Sequence, residues 1–581
     1  MRRLAPNSRL LFAVCAVAML ASGCAPGDEG PGYVTIQLPQ VSCPDNLALS
    51  GKDTCSFSVS IHNGPWRDSA PEQIFAAGCV PYSGDLITIT GVTSGEGFTI
   101  KLDGYSDEAC TEKALTGARG GVRIREGTEQ DGIWFVPTFR TAGFSAFPEF
   151  AQGVRQVAAA AECSTDVDCR TRTSDGFTYE ISPVASCDTT TNTCRMPETA
   201  YPLNMATARA LHTATTIDDG RIVFVGGVAV SPQGGKFLGT DQVVEVFDPV
   251  SMTFATSSIS LPSDLRVAGH ATVSLGGSKL AFYGGARQID AEVVAVGPED
   301  GAKQFVRVTL PTNDVTQTDN VSDLAFTIDV NTGDLSSGTI SQPRAFLSAI
   351  NTPEGVLVAG GSQPVGAGGQ GTVASAVAEL CNGTTCEPLG AGLAAARWGH
   401  CAVCLDAPSG GACGNVALFG GIPTDQEDLA TDALAEVYTG GALSSVGLLS
   451  SDLDSNVALP RCIRGGGNVY LVGGSQRTNQ PPSIAAALLG LNSSGSKIGA
   501  EEIGKVTGIT APFRVHTASV ELSDGRVLVT GGLDDNGTPV AKAYIIDGKE
   551  AVDQINMVTG RFGHTATLLT TGPLAGAVLI A

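Results

Sequence analysis

Residues 208–227 read "ARALHTATTIDDGRIVFVGG". Arg209 and His212 open the stretch, a Thr-rich run follows, "DDG" turns the chain, and a second apolar run ends on Gly226 and Gly227. Two β-prone runs around an Asp-Gly turn predict a hairpin. Two adjacent glycines at a strand end predict positive φ and the close approach of another backbone. A lone hairpin is only marginally stable, so its meaning depends on whether it recurs.

It recurs five more times: "LRVAGHATVSLGGSKLAFYGG" (265–285), "PRAFLSAINTPEGVLVAGG" (343–361), "ARWGHCAVCLDAPSGGACGNVALFGG" (396–421), "PRCIRGGGNVYLVGG" (460–474) and "FRVHTASVELSDGRVLVTGG" (513–532). The later doublets are Gly284 and Gly285, Gly360 and Gly361, Gly420 and Gly421, Gly473 and Gly474, and Gly531 and Gly532, with first glycines 58, 76, 60, 53 and 58 residues apart. A variable loop follows each doublet, then a weaker third strand such as "VVEVFDP", "LAEVYTG" or "KAYIIDG", then a short fourth. Four strands per unit at such a period predict a β-propeller over residues 201–581, whose blades bury one another's faces. The last stretch, Thr559–Ala581, reads as the first two strands of a seventh repeat, with Arg561 and His564 in register and no doublet after them. Six repeats are then full and a seventh is begun. Either "RMPETAYPLNMATAR" (195–209) latches the ring, or the sequence is a piece of a longer chain.

These features resemble kelch repeats over about two-thirds of the chain. The likeness rests on the doublets, on the Arg-x-x-His openings and on Phe247-Asp248-Pro249, which is similar to the family's aromatic-Asp-Pro. Leu347 stands where the third repeat would have its histidine, and the fifth has no clear one. The resemblance implies recognition of ligands or partners through rim loops. The longest insertions, 286–320 and 422–434, are the expected recognition surface, because long loops in compact repeats are usually functional or disordered.

The beginning of the chain predicts export. "MRRLAPNSR" is basic and "LLFAVCAVAMLA" is apolar but shorter than the roughly 20 residues that span a bilayer. Residues 1–23 are therefore read as a signal peptide. "LASGC" resembles the lipobox of bacterial lipoproteins, which implies lipidation at Cys24, residues 24–32 as a tether and anchorage in the bacterial envelope, with the outer membrane expected. Residues 33–155 hold several runs with apolar residues at alternate positions and predict an Ig-like β-sandwich. In "FTIKLDGY", Phe98, Ile100 and Leu102 should face a core while Thr99, Lys101 and Asp103 face water. Residues 156–200 carry four cysteines and too few apolar residues for a core, so a small disulfide-rich module is expected there. It resembles the C-x-x-D-x-x-C modules that recur in such lipoproteins.

Of 16 cysteines, Cys15 leaves with the leader and Cys24 takes lipid, so fourteen remain. They fall into even groups: Cys43, Cys55, Cys79 and Cys110; Cys163, Cys169, Cys187 and Cys194; Cys381, Cys386, Cys401, Cys404, Cys413 and Cys462. Disulfides within domains are expected. Proposed pairs are Cys404 with Cys413 across a hairpin, Cys401 with Cys462 on the next blade, and Cys381 with Cys386.

The net charge is −23, or −26 once Arg2, Arg3 and Arg9 leave with the leader, which disfavours nucleic acid as a partner. Five of six histidines, His212, His270, His400, His516 and His564, are read as occupying the same place in different repeats, which favours inter-blade hydrogen bonding over a metal site. No nucleophile elbow, phosphate loop or calcium-loop spacing occurs. Galactose-oxidase-like enzymes also use kelch propellers, but their copper site needs tyrosines and histidines that the repeat does not leave spare, and fold likeness alone confers no activity. The expectation is therefore a non-catalytic head that binds a protein or glycan, without metal or cofactor. The alternative is a structural or adhesive envelope component.

Overall fold

In the computed structural model, the described residues are 31–37, 56–81, 86–107, 109–126, 133–136, 138–140, four short strands between 171 and 195, and 205, 209–230, 236–239, 243–261, 268–296, 303–309, 320–364, 372–406, 411–422, 435–446, 460–474, 486–489, 504–509, 516–534 and 538–581. All regular structure among them is β. The chain divides into two compact units, residues 1–204 forming most of the first and residues 205–581 most of the second.

In the first unit, strands β1 (Pro31–Gln37), β2 (Ser56–His62), β3 (Gln73–Pro81), β4 (Leu86–Thr93), β5 (Gly95–Tyr105), β6 (Lys113–Glu126), β7 (Ile133–Phe135) and β8 (Thr138–Arg140) join in one sheet, ordered β3-β2-β5-β6-β1-β4 with β7 on β1 and β8 on β6. The two layers of the expected sandwich are continuous. Residues 113–124 of β6 pair with β5, and Arg125 and Glu126 pair with β1, so the sheet nearly closes like a barrel. Val34, Ile36, Phe57, Val59, Ile61, Ile100, Leu102 and Val122 meet in its single apolar core. Phe98, Ile100 and Leu102 are buried, as their alternation requires. Thr99 and Asp103 are buried too: Thr99 Oγ1 donates to Gly64 O at 2.8 Å, and Asp103 accepts from Lys113 Nζ at 2.8 Å and Thr116 Oγ1 at 2.6 Å. The outer face of β5 is covered at Thr99 and Asp103 and only partly at Lys101 between them, which a period-two reading cannot see. Strand β3 escaped that reading because "QIFAAGCVP" does not alternate.

Later in the first unit, Thr171–Ser174 pairs with Phe177–Glu180, and Ser186–Asp188 with Thr193–Arg195.

The second unit is a cycle of seven antiparallel sheets. Their first strands are Thr213–Thr216, Ala271–Gly276, Ser348–Thr352, Cys401–Cys404, Arg461–Gly465, Ala518–Glu521 and Ala566–Leu568. Each touches the next, and the seventh touches the first. Sheets one to six have four strands each, and the seventh pairs Ala566–Leu568 with Val578–Ile580. Sheets two and three also join through a parallel bridge, Thr339 to Thr385. Of the expected latch, 195–209, residues 196–204 and 206–208 lie outside the described residues.

The second strands read as continuous apolar runs because both of their faces are covered. In "KLAFY", Leu280 and Phe282 pack on sheet one, and Ala281 and Tyr283 on sheet three. In "GVLVA", Val356 and Val358 turn to sheet two, Leu357 and Ala359 to sheet four. Sheets four and five repeat the pattern, with Ala417 and Phe419 on one side and Val469 and Leu471 meeting them from the other. A fully buried Val, Leu or Phe contributes about 1.5–3 kcal/mol, so each sheet draws its apolar stabilisation from both neighbours.

Candidate functional site

The first strands of the seven sheets begin around one axis, and the residues leading into them line a cavity of about 220 Å3. Sheet register fixes which residues are equivalent. The residue before each doublet faces Thr213, Ala271, Ser348, Cys401, Arg461 and Ala518, respectively. In the seventh sheet Thr565 holds this place, exchanging hydrogen bonds with Ala581 at 3.0 and 3.1 Å.

Two residues earlier stand Leu211, Gly269, Phe346, Gly399, His516 and Gly563, and all six have φ between +55° and +65°. That backbone turns amide and carbonyl along the ring. Leu211 N donates to Gly563 O at 2.7 Å, Gly563 N to His516 O at 3.0 Å, Phe346 N to Gly269 O at 2.7 Å and Gly399 N to Phe346 O at 3.0 Å. Left-handed backbone is costly for Leu, Phe and His, and these sheet-to-sheet bonds offset it.

One residue later stand His212, His270, Leu347, His400, Pro460, Thr517 and His564. Each of the four histidines turns Nε2 to a hydroxyl of the preceding sheet: His270 to Thr213 at 3.0 Å, His400 to Ser348 at 2.8 Å, His564 to Thr530 at 2.8 Å, and His212 to Thr565 of the seventh sheet at 3.1 Å. These rings pin sheets together. Burial, reinforced by neighbouring arginines, pulls the pKa of His212 down to about 4 and those of His400 and His564 to about 3. All three are neutral at pH 7.

His516 is not equivalent to them. Its place is the left-handed one before Thr517, because Ala518 rather than Thr517 faces Thr530. The reading of five equivalent histidines is corrected at this position. The spacing carries the signal: Arg514 and His516 are two apart, not three. Burial, then Arg461, lowers its pKa to about 4.

Arginines form a second set of pins, together with glutamates that sequence reading missed. Arg209 binds Glu245 at 2.5 Å, Arg397 binds Glu436 at 2.6 Å and Arg344 binds Glu379, all buried. Each guanidinium also donates to the first doublet glycine: Gly226 O at 3.1 Å, Gly360 O at 2.8 Å and Gly420 O at 3.2 Å. The glutamates were visible as the third-strand Glu in "VVEVFDP", "VAELCN" and "LAEVYTG".

The doublets close the contact with the following sheet. All twelve glycines have positive φ. Gly285 N donates to Arg344 O at 2.8 Å, Gly361 N to Arg397 O at 2.9 Å and Gly532 N to Arg561 O at 2.9 Å. A Cβ on Gly360 would stand 2.6 Å from Arg397 O, and one on Gly531 2.4 Å from Arg561 O.

Arg461 departs from this scheme. It reads as the opening arginine of the fifth repeat, but it faces Val472 and so lies four positions later than Arg209, Arg344 and Arg397 lie in theirs. It occupies a place held elsewhere by Thr, Ala, Ser or Cys. It lies deep in the ring, where burial lowers its pKa, yet it is open to the axial cavity that it lines, and it acts electrostatically on His516 and His564. Among the described residues no carboxylate pairs with it.

Disulfides join Cys79 to Cys110, Cys381 to Cys386, Cys401 to Cys462 and Cys404 to Cys413. The third links sheets four and five, and the fourth closes the hairpin of sheet four. Cys187 and Cys194 are register partners on adjacent strands. Cys43, Cys55, Cys163, Cys169, Cys15 and Cys24 lie outside the described residues, as does the leader. Among the described residues one group brings metal-binding atoms together, Cys404, Asp406 and Cys413, and its two sulfurs are bonded to each other. The buried tyrosines Tyr283, Tyr438, Tyr470 and Tyr544 pack in the cores between sheets.

The insertion after the second doublet is built. Gln288–Val296 and Lys303–Thr309 pair with each other, and Lys236–Gly239 and Val228–Val230, from the loop after the first doublet, complete a separate four-stranded sheet. Of the other insertion, Ile422 bridges to Trp398 and residues 423–434 lie outside the described residues.

No family model matches the chain, and no curated protein does. Among solved structures, one titled "Structure of YjhT" is similar over 55% of this chain and 90% of its own, at 14% identity and a TM-score of 0.36. The disulfides suit an oxidising, extracytoplasmic location.

Proposed function

We propose that this chain is an exported envelope protein, lipid-anchored at Cys24, whose second unit is a kelch-type β-propeller that binds a protein or glycan and catalyses no reaction. The observation that carries the reading is the four-stranded sheet made by Val228–Val230, Lys236–Gly239, Gln288–Val296 and Lys303–Thr309. A repeat needs only a short connection between its second and third strands. Here two connections are extended and paired with each other, which costs conformational entropy that the ring itself does not require. Such an ordered platform suits recognition, because little further ordering is needed on binding. The disulfides support an extracytoplasmic setting. The kelch reading is supported by the recurrence of doublet, arginine and histidine pins.

The test is crosslinking and affinity capture from intact cells, with the full chain and with residues 290–308 replaced by a short Gly-Ser turn. A single stoichiometric partner that disappears with the platform is expected. Diffuse recovery of envelope material with both chains would favour a structural component instead. Anchorage is tested separately: Cys24→Ala should abolish labelling by a fatty-acid probe and move the protein out of the membrane fraction.

A further inference from the structure

Arg461 is an arginine in a place built for small side chains. Its equivalents are Thr213, Ala271, Ser348, Cys401, Ala518 and Thr565. Three other arginines of the ring are neutralised by buried glutamates, whereas Arg461 opens into the axial cavity with no carboxylate paired to it among the described residues. Its charge acts on His516 of sheet six and His564 of sheet seven. The lining is polarised: Arg461 of sheet five and His516 and Thr517 of sheet six are polar, and Phe346 and Leu347 of sheet three are apolar.

We infer that the axial cavity is a binding site for a small organic mono-anion, a carboxylate, with Arg461 as the residue that pairs with it. A guanidinium presents two parallel N–H donors that match a carboxylate, and in a confined site this charge-assisted pair is strong. Arg461 is the one arginine or lysine among the residues that line the cavity, and its single positive charge matches one negative charge. The neighbouring histidines are neutral at pH 7, so a doubly charged phosphate would lack its second counter-charge. Pockets for drug-sized ligands span roughly 300–1,000 Å3. At about 220 Å3 this cavity suits a smaller molecule, with its hydrocarbon part against Phe346 and Leu347. The chain's charge of −23 opposes the approach of anions, so affinity must come from the local pair rather than from steering.

The test uses the full chain and calorimetric titration with four probes: pyruvate, benzoate, the neutral amide benzamide, and inorganic phosphate. Saturable binding of pyruvate or benzoate is expected, with benzamide and phosphate about tenfold weaker or absent. Arg461→Met should weaken carboxylate binding about tenfold or more, and Arg461→Lys should retain part of it. Capture of a macromolecular partner through the platform should be unchanged in either variant, which separates this site from the proposed docking surface. Equal binding of benzoate and benzamide, tighter binding of phosphate, or unchanged affinity in a folded Arg461→Met would each overturn the assignment. Should Arg461→Met not fold, the benzoate-to-benzamide comparison on the unaltered chain decides alone.

Discussion

The two units solve the same problem by different means. The barrel-like sheet of the first unit gathers its apolar side chains into one core. The ring has no common centre to fill. Its apolar clusters lie between successive sheets, and around its axis the sheets are held by buried ion pairs, imidazole–hydroxyl bonds and backbone bonds through left-handed residues. A closed ring cannot bury its inner edge in hydrocarbon, because seven chain segments arrive there with their polar backbones. It satisfies those groups locally instead, once per sheet.

The largest test of this contrast removes one buried charge from the ring. Glu379→Ala leaves Arg344 buried without its counter-ion and takes away the acceptor of Ser341 N. The expected loss is about 3–5 kcal/mol in the unfolding transition of the ring. In the first unit a loss of that size should need an apolar truncation such as Phe57→Ala, also about 3–5 kcal/mol. The ion pair of Lys113 with Asp103, partly exposed on the barrel surface, should cost under about 1 kcal/mol when Lys113 is replaced by Ala. Denaturant titration of the full chain, followed by hydrogen exchange to assign each transition, measures all three.

Next in size is Gly360→Ala. The residue has φ +60°, and an added Cβ would meet the backbone of Arg397 and the ring of His400 at 2.6 Å. Strain and overpacking together should cost about 2–4 kcal/mol. At Gly441, which has φ +86° and nothing within 4 Å of an added Cβ, only the strain should remain, about 1 kcal/mol.

Much of this was legible in the sequence, because the devices repeat. The doublets gave the ends of second strands directly, since only glycine holds their φ cheaply. The apolar runs gave the strands. What stayed hidden were relations set by register across sheets. Arg461 looks like an opening arginine until Val472 is found opposite it, and His516 looks like a fifth pin until Thr530 is found opposite Ala518. The glutamates on third strands hid because one acidic residue in an apolar run resembles a solvent-facing position. In the first unit, Thr99 and Asp103 hid for the same reason.

Acid separates the units by mechanism. His212, His400, His516 and His564 have folded pKa values of about 4, 3, 4 and 3, against about 6.5 unfolded. The folded values are depressed, so between pH 6.5 and 4 the unfolded chain binds more protons. Ring stability should therefore be full above pH 6.5 and fall as pH drops towards 4. Asp107 of the first unit behaves as a depressed carboxylate, lowered chiefly by the Thr111 hydroxyl, and its contribution is lost only below about pH 4. Melting curves from pH 7.5 to 3.5 should show the ring transition falling first. Two transitions that fall together would break the contrast.

The smallest expected effect is the most specific. Ser348→Ala removes the hydroxyl that holds His400 Nε2 at 2.8 Å and leaves a buried imidazole unsatisfied, at a cost of about 1–2 kcal/mol. The molecule already contains the remedy. Sheet six carries Ala518 at the equivalent place, and there His564 takes Thr530 Oγ1 on the adjacent strand, also at 2.8 Å. The residue of sheet three equivalent to Thr530 is Ala359, opposite Ser348. Ala359→Thr should therefore rescue part of the Ser348→Ala loss, while costing stability on its own because Ala359 is fully buried. A double-mutant cycle with favourable coupling would show that the pin needs only a hydroxyl within reach of the ring, on either strand. Zero coupling would mean that Ser348 stabilises the ring by something other than its bond to His400.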